Sequence, residues 1–312
     1  MIIRLGYVAI SKALDITSSG TITYTNYLKE ENKNEKLDKI IKSNLDNLEK
    51  ILNYNVKNNI HFYRLTSKLI PLATHKNVSF EYINTYKDYY DKISKIIDKN
   101  NMRVDVHPDQ FCVLNSTNKE TINNSIEILK YHINILEALK IKSPVIVLHT
   151  GSSVFGKEKS ITRFVNNFNK LPDNIKNSIV IENDDKIYNA SDVLNLCKKI
   201  NRPMVLDYHH HICNPCDNID DMLGKIFDTW KDIRPKVHFS SPKNKTKKDF
   251  RSHHDYINSD DFIQFIEKIK KYNVDIDVMI EAKAKDDALF RLVRELKYKT
   301  DYKFIDETSF EV

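Results

Sequence analysis

The residues best equipped for chemistry gather in one short stretch. From Pro203 the chain runs Met204-Val205-Leu206 and then changes at once to Asp207, Tyr208, His209, His210 and His211. An apolar run bounded by proline and ending in polar residues is the pattern of a buried parallel strand. A carboxylate and imidazoles at its exit place oxygen and nitrogen donors at one edge of a sheet. A core strand followed by a solvated loop would account for this stretch alone, but the arrangement recurs. His107 follows Met102–Val106, His149 follows Val145–Leu148 and Glu182 follows Ile179–Ile181. His238 lies within Val237–Phe239, and Glu281 follows Ile276–Ile280. His75 and the His253-His254 pair fall in connecting loops. One strand-end histidine is ordinarily structural; six strand ends in succession carrying His, Asp or Glu are not. Burying that many ionisable groups together is expensive unless cations neutralise them.

Imidazole and carboxylate without thiolate suit Mn²⁺, Zn²⁺ or Fe²⁺. Nine candidate donors (His75, His107, His149, Glu182, Asp207, His210, His238, His253 and Glu281) exceed the needs of one tetrahedral ion and fit two or three. Glu182, central in strand order, is the expected bridge. Clustered divalent ions suit phosphodiester hydrolysis, because one lowers the pKa of a bound water while others stabilise the attacking and leaving oxygens. No Ser-His-Asp or Cys-His arrangement competes. Cys213-Asn214-Pro215-Cys216 lacks the second pair that a zinc ribbon needs. Four cysteines in 312 residues are no disulfide framework and read as reduced thiols. The expected setting is cytoplasmic, and nucleoid-associated in a prokaryote.

Delivering those donors to one place takes a regular scaffold. Strands are expected at Ile2–Tyr7, His61–Leu65, Met102–Val106, Val145–Leu148, Ile179–Ile181, Met204–Leu206, Val237–Phe239 and Ile276–Ile280. Between them lie helical stripes over Lys36–Val56, Ile83–Ile97, Ile122–Leu139, Ile161–Phe168, a short helix capped by Ser191, Ile219–Trp230, Phe262–Ile269 and Ala288–Leu296. Eight alternations without a linker predict an α/β fold, a single (β/α)8 TIM barrel over residues 1–312 with its site at the carboxyl ends of the strands. An open doubly wound sheet is the alternative; with only five glycines and no glycine fingerprint after the first strand, its dinucleotide-binding form is disfavoured.

The balance of 49 Lys+Arg against 43 Asp+Glu permits an anionic partner without demanding one. No apolar run is long enough to span a bilayer, so no membrane partner is expected. Met1-Ile2-Ile3-Arg4 leads straight into a strand with no leader pattern.

Over most of its length the chain resembles the UV-damage endonucleases. The resemblance rests on Arg4-Leu5-Gly6-Tyr7, Tyr63-Arg64-Leu65-Thr66-Ser67, His107-Pro108-Asp109-Gln110-Phe111 and Leu148-His149-Thr150-Gly151. It continues through Ile181-Glu182-Asn183-Asp184, Asp207-Tyr208-His209-His210, Lys236-Val237-His238-Phe239-Ser240, His253-His254-Asp255-Tyr256-Ile257 and Glu281-Ala282-Lys283. It implies a TIM barrel whose metal cluster, usually activated by Mn²⁺ with Zn²⁺ or Mg²⁺ as alternatives, nicks duplex DNA immediately 5′ to cyclobutane dimers and 6-4 photoproducts. By position, His107, His149 and Glu182 resemble the ligands of one ion, and Glu182, Asp207, His238 and Glu281 those of a second. His210 and His253 resemble those of a third, with His253 preferred to His254, and His75 matches a histidine near the cluster. Lys236 matches a lysine carboxylated in some relatives and is expected to meet the metals or the scissile phosphate.

The resemblance also implies residues for damage recognition. Gln110-Phe111 stands where relatives carry Gln-Tyr, a departure that loses the hydroxyl but keeps the ring that wedges into the duplex. Tyr7 matches a lesion-pocket tyrosine, and Ser11 stands where relatives often carry Asn. The basic segment Lys243-Asn244-Lys245-Thr246-Lys247-Lys248 is either a solvated charge run or a phosphate-contacting loop. A monomer suits an enzyme that clamps a duplex. Rival readings are an abasic-site endonuclease of the endonuclease IV type, a sugar isomerase or epimerase, and a non-catalytic metal- or DNA-binding module.

Overall fold

The computed structural model describes residues 1–246 and 248–312. Eight parallel strands follow one another around a closed sheet: β1 (Ile2–Val8), β2 (Phe62–Leu65), β3 (Arg103–Val106), β4 (Ile146–His149), β5 (Ile179–Glu182), β6 (Met204–Asp207), β7 (Lys236–Phe239) and β8 (Ile276–Ile280). Each pairs with its neighbour in sequence, and β8 returns to β1 in a register running from Ile3↔Ile276 to Tyr7↔Ile280. That last pairing closes the barrel and excludes the open sheet. Strands β2, β5, β6, β7 and β8 are buried along their whole length, so they are mainly apolar on both faces, and the charged residues they carry, such as Arg64, Lys236 and Asp277, are buried with them.

The helices form an outer ring, each turning one stripe inward. In the helix Lys33–Lys57 the buried set includes Leu37, Ile41, Leu45, Leu48, Ile51 and Leu52, the i, i+4, i+8 rhythm of an amphipathic helix. Observed and expected elements agree within a few residues, and the structure adds short helices at Tyr24–Lys29 and Asp173–Ser178, a hairpin of Ile10–Ser11 with Ile16–Thr17 and the strands Lys303–Phe304 and Ser309–Glu311. The stretch expected as one helix before β3 is two, Tyr82–Thr85 and Lys87–Lys99. The helix Ala190–Ile200 is capped by Asn189 rather than Ser191, because Asn189 and Asp192 close a reciprocal capping box. The residues after β6 form a short helix, Tyr208–Cys213.

The amino-terminal end of the barrel is closed by charge. Asp277, at no solvent exposure, takes Arg4 in a two-pronged pair at 2.6 and 2.9 Å and Arg103 at 2.8 Å. At the same end Ser309–Glu311 pairs antiparallel with Ile2–Arg4 and covers the edge of β1 that β2 leaves open. Between β1 and β2 there is no room for a side chain at Gly6, where a Cβ would stand 2.3 Å from the Phe62 carbonyl oxygen. No helix among the described residues is long and apolar enough to cross a membrane.

Candidate metal centre

The carboxyl ends of β3 to β8 bring their donors together around Glu182. Its side chain is buried at the end of β5, directly registered with His149 on β4. His107 Nε2 lies 2.9 Å from Glu182 Oε2, with His149 Nε2 at 3.6 Å from the same oxygen. The other oxygen, Oε1, has His238 Nδ1 at 2.8 Å and His210 Nδ1 at 3.5 Å. One carboxylate thus faces four imidazoles from four elements. Two groups of donor atoms, each within 4.8 Å of one another, share it: His107, His149 and Glu182, and Glu182, Asp207, His238 and Glu281.

Asp207 reaches this ring while also starting a helix. Its Oδ1 accepts the His210 backbone N–H at 2.7 Å, so it serves as N-cap of Tyr208–Cys213. That short helix turns His210 toward Glu182, and the His210 Nδ1–H donates to the Asn183 carbonyl at 2.9 Å. Asn183 in turn exchanges two hydrogen bonds with the Asp207 backbone, at 2.9 and 3.0 Å, which ties β5 to β6 at the rim. His253 lies in a loop held by a bridge to Pro242, with Nδ1 3.9 Å from Glu281 Oε2. His254 points away, exposed, its Nδ1 accepting the Tyr256 backbone N–H at 2.9 Å. Geometry therefore brings His253, and not His254, to the cluster.

The electrostatics show a buried site with more negative charge than its neighbours balance. Burial raises the Asp207 carboxyl to about 8, an effect that the nearby His210 only partly offsets and that Glu182 and Glu281 reinforce. Burial alone would lower the His210 imidazole, yet Asp207, Glu182 and Glu281 together raise it to about 9. Both shifts have one origin, carboxylates crowded where water cannot screen them. Glu182 goes the other way: burial opposes its charge, but His238, His149 and His107 hold it well below the usual carboxylate range. Asp207 Oδ2 is buried with no hydrogen-bond partner. An unsatisfied carboxylate oxygen of this kind, beside excess negative charge, is what a divalent cation would satisfy. The donor set fits two ions sharing Glu182.

One residue of the site was overlooked in the sequence. Arg64, at the third position of β2, has its Nη1 2.7 Å from Glu281 Oε1, and its Nη2 donates to His238 Nε2 at 2.8 Å. Because arginine cannot accept, that bond occupies the His238 Nε2 lone pair and leaves Nδ1, facing Glu182, as the nitrogen whose proton a bound ion would displace. Arg64 also stands 3.9 Å from Asp105, its registered neighbour on β3. The signal was legible: a guanidinium inside a fully buried strand must be paired.

Several expected residues take other places. Lys236 is wholly enclosed one layer below His238, its Nζ 2.5 Å from Asp105 and 5.3 Å above the Phe62 ring. Burial lowers its ammonium to about 8 despite that carboxylate. Fully buried, its ammonium presents no open surface to a phosphate. Tyr7 is equally enclosed; its hydroxyl donates to Asn55 at 2.8 Å, so it packs the core rather than lining an open pocket. Ser11 is buried and donates to Asp286 at 2.7 Å, pinning the Ile10–Ser11 and Ile16–Thr17 hairpin to the helix Asp286–Lys299. Among the described residues His75 belongs to neither donor group, and its ring stacks on Tyr24, in the short helix Tyr24–Lys29, at 4.0 Å.

The loop after β3 opens with a turn closed by the Cys112 N–H to the Asp109 carbonyl at 2.9 Å, with Gln110 and Phe111 at its tip. Phe111 is 73% exposed and is no rim core residue. Lys243 and Lys245 are exposed, Lys243 lying 3.6 Å from Asp249; Lys247 lies outside the described residues.

The family model for UV-endonuclease UvdE matches residues 3–310. A UV DNA damage endonuclease of Bacillus cereus is 42% identical over 303 residues, covering 95% of each chain. That of Bacillus mycoides is 40% identical over 318 residues and covers the whole of both. The crystal structure of SacUVDE superposes with a TM-score of 0.86 at 34% identity, covering 95% of this chain and 98% of that one. Endonuclease IV from Thermus thermophilus has the same fold at 10% identity, with a TM-score of 0.57 over 95% of this chain and 100% of its own. With a family match running nearly end to end and relatives at this identity, the chain belongs to the UV-endonuclease UvdE family.

Proposed function

We propose that this chain is a divalent-metal-dependent endonuclease that cuts UV-damaged duplex DNA immediately 5′ to cyclobutane dimers and 6-4 photoproducts, leaving a 3′-hydroxyl and a 5′-phosphate. The observation that carries the reading is the pair of donor groups sharing Glu182 at the open end of the barrel. His107, His149 and Glu182 would hold one ion and Glu182, Asp207, His238 and Glu281 a second. His210 and His253 would hold a third, with His75 nearby on the rim. Mn²⁺ is the proposed metal, with Zn²⁺ or Mg²⁺ as substitutes. When bound, such ions supply an activated water and neutralise charge at the scissile phosphate.

The protein's own part is to orient and to bind. Arg64 and Asn183 fix the rotamers of the ligands around Glu182. Lys236, paired with Asp105, acts through the layer above it as a positioning residue. Gln110 and Phe111 enter the duplex opposite the extruded lesion, a distortion that costs least where a photoproduct has weakened pairing. Tyr7 and Ser11 support the pocket from behind, and Lys243 and Lys245 meet backbone phosphates. The working form is a monomer.

A duplex with one defined cyclobutane dimer, incubated with Mn²⁺ and with chelator, tests the reading. A chelator-sensitive nick directly 5′ to the dimer, absent on undamaged duplex, is expected. Cleavage only at an abasic site would overturn it in favour of the endonuclease IV type of activity. Metal-dependent binding of damaged DNA without a nick would leave a recognition module.

A further inference from the structure

A second aromatic tip stands beside the one that carries Phe111. The loop after β4 makes a turn closed by the Gly156 N–H to the Ser153 carbonyl at 2.8 Å, with Val154 and Phe155 at its apex. The two turns, Asp109-Gln110-Phe111-Cys112 and Ser153-Val154-Phe155-Gly156, present phenylalanine at the same third position. Phe155 is 73% exposed, the same as Phe111, and Val154 beside it is 45% exposed. Both loops leave the carboxyl ends of adjacent strands, next to His107 and His149. Large apolar side chains so displayed at a working face mark contact sites.

The backbone of Phe155 makes accident a poor account. Its φ is +65°, in the left-handed region where a bulky aromatic is a genuine outlier and glycine is the usual occupant. Such a conformation persists only where the surroundings over-determine it, and here they do. The Val154 carbonyl accepts from Ser160 Oγ at 3.0 Å and Arg163 Nη2 at 2.6 Å. The Ser152 carbonyl accepts from Tyr188 at 2.8 Å and from Asn115 at 2.6 Å, and the Ser152 N–H returns a bond to Asn115 at 3.1 Å. Asn115 is fully buried and lies in the same loop as Phe111, so one side chain ties the two loops together. Gly151, at φ +104°, is required for this clasp, since a Cβ there would stand 2.4 Å from Asn115 Oδ1.

We infer that Phe155 is a second stacking prong, which lays its ring on an unstacked base of the damaged duplex in the same binding event as Phe111. This rests on the proposed function above. A rigid loop that holds an aromatic ring in water gains nothing from burial in the free protein. It does remove the ordering cost when the ring is covered by a partner with flat apolar faces.

The test measures affinity of the metal-loaded protein for a fluorescein-labelled duplex with one cyclobutane dimer, for wild type and F155G, F155L and F155Y. Base–aromatic stacking is worth about 1–3 kcal/mol, so F155G should raise Kd about tenfold. Its melting temperature should be no lower than wild type, because glycine relieves the positive φ. F155Y should bind like wild type and F155L like F155G. Unchanged affinity in F155G, or full affinity in F155L, would overturn the prong while leaving the endonuclease reading intact. Failure of the wild type to prefer the dimer duplex would overturn both.

Discussion

Replacing Arg64 by methionine removes a permanent cation from the cluster. The guanidinium is 6% exposed and stands 2.7 Å from Glu281, 2.8 Å from His238 and 3.9 Å from Asp105. Methionine fills much of the same space without charge, leaving two buried carboxylates short of a partner. Breaking a buried pair in this way costs about 3–5 kcal/mol. With an unfolding entropy of about 2.1 cal/mol/K per residue, a chain of 312 residues should lose roughly 5–8 °C in Tm.

The dependence on pH and metal follows from the same charges. Burial opposes ionisation of Glu281, but Arg64 and then His238 hold its carboxyl well below the usual range. A carboxyl lowered in the folded state stabilises above its unfolded pKa of about 4.3 and loses that contribution as pH falls through the folded value. The gap between wild type and variant should therefore be widest near pH 7 and close in acid. Because divalent ions neutralise the same carboxylates, the gap should also be larger in chelator than in saturating Mn²⁺. Thermal melts followed by circular dichroism in both buffers check this. A variant melting within 1 °C of wild type in chelator, or a gap that widens with metal, would refute the claim that Arg64 balances the site (the 1 °C margin being about 0.7 kcal/mol on that entropy scale).

Other perturbations separate chemistry from scaffold. Glu182→Gln should lower nicking by about a thousandfold or more, roughly 4 kcal/mol in barrier, with an unchanged far-ultraviolet spectrum; retained activity would remove Glu182 from the mechanism. Asp277→Asn, at the opposite end of the barrel, strands Arg4 and Arg103 and should cost about 3–5 kcal/mol in denaturant melts, yet leave kcat of the folded enzyme unaltered. His132 is buried with Nε2 unpartnered, and burial lowers its imidazole to about 4 from 6.5. It stabilises fully above its unfolded value, so unfolding free energy should fall as pH drops from 6.5 toward 4, and His132→Gln should flatten that part of the profile. If Lys243 and Lys245 meet phosphates, replacing both by Ala should reduce the slope of log Kd against log salt by about 2, as read from binding at several salt concentrations.

Much of this was legible in the sequence because period and position survive without contacts. Strands buried on both faces announce themselves as apolar runs, and a parallel barrel puts every strand's exit at one end. His107, His149, Glu182, Asp207 and Glu281 could therefore be assigned to a common rim from their places after five such runs, and His238 from its place within a sixth. The tertiary structure decided what depends on direction and distance. It enclosed Lys236, Tyr7 and Ser11, turned His75 onto Tyr24, and set His253, already preferred to His254 in the sequence, beside Glu281. It brought in Arg64 beside Glu281, a pairing over β1 between residues that are 217 apart in the chain. Local pattern sets which way a strand's side chains alternate. Which charges face one another across a closed barrel depends on the stagger of all eight strands together, and no window of sequence carries that sum.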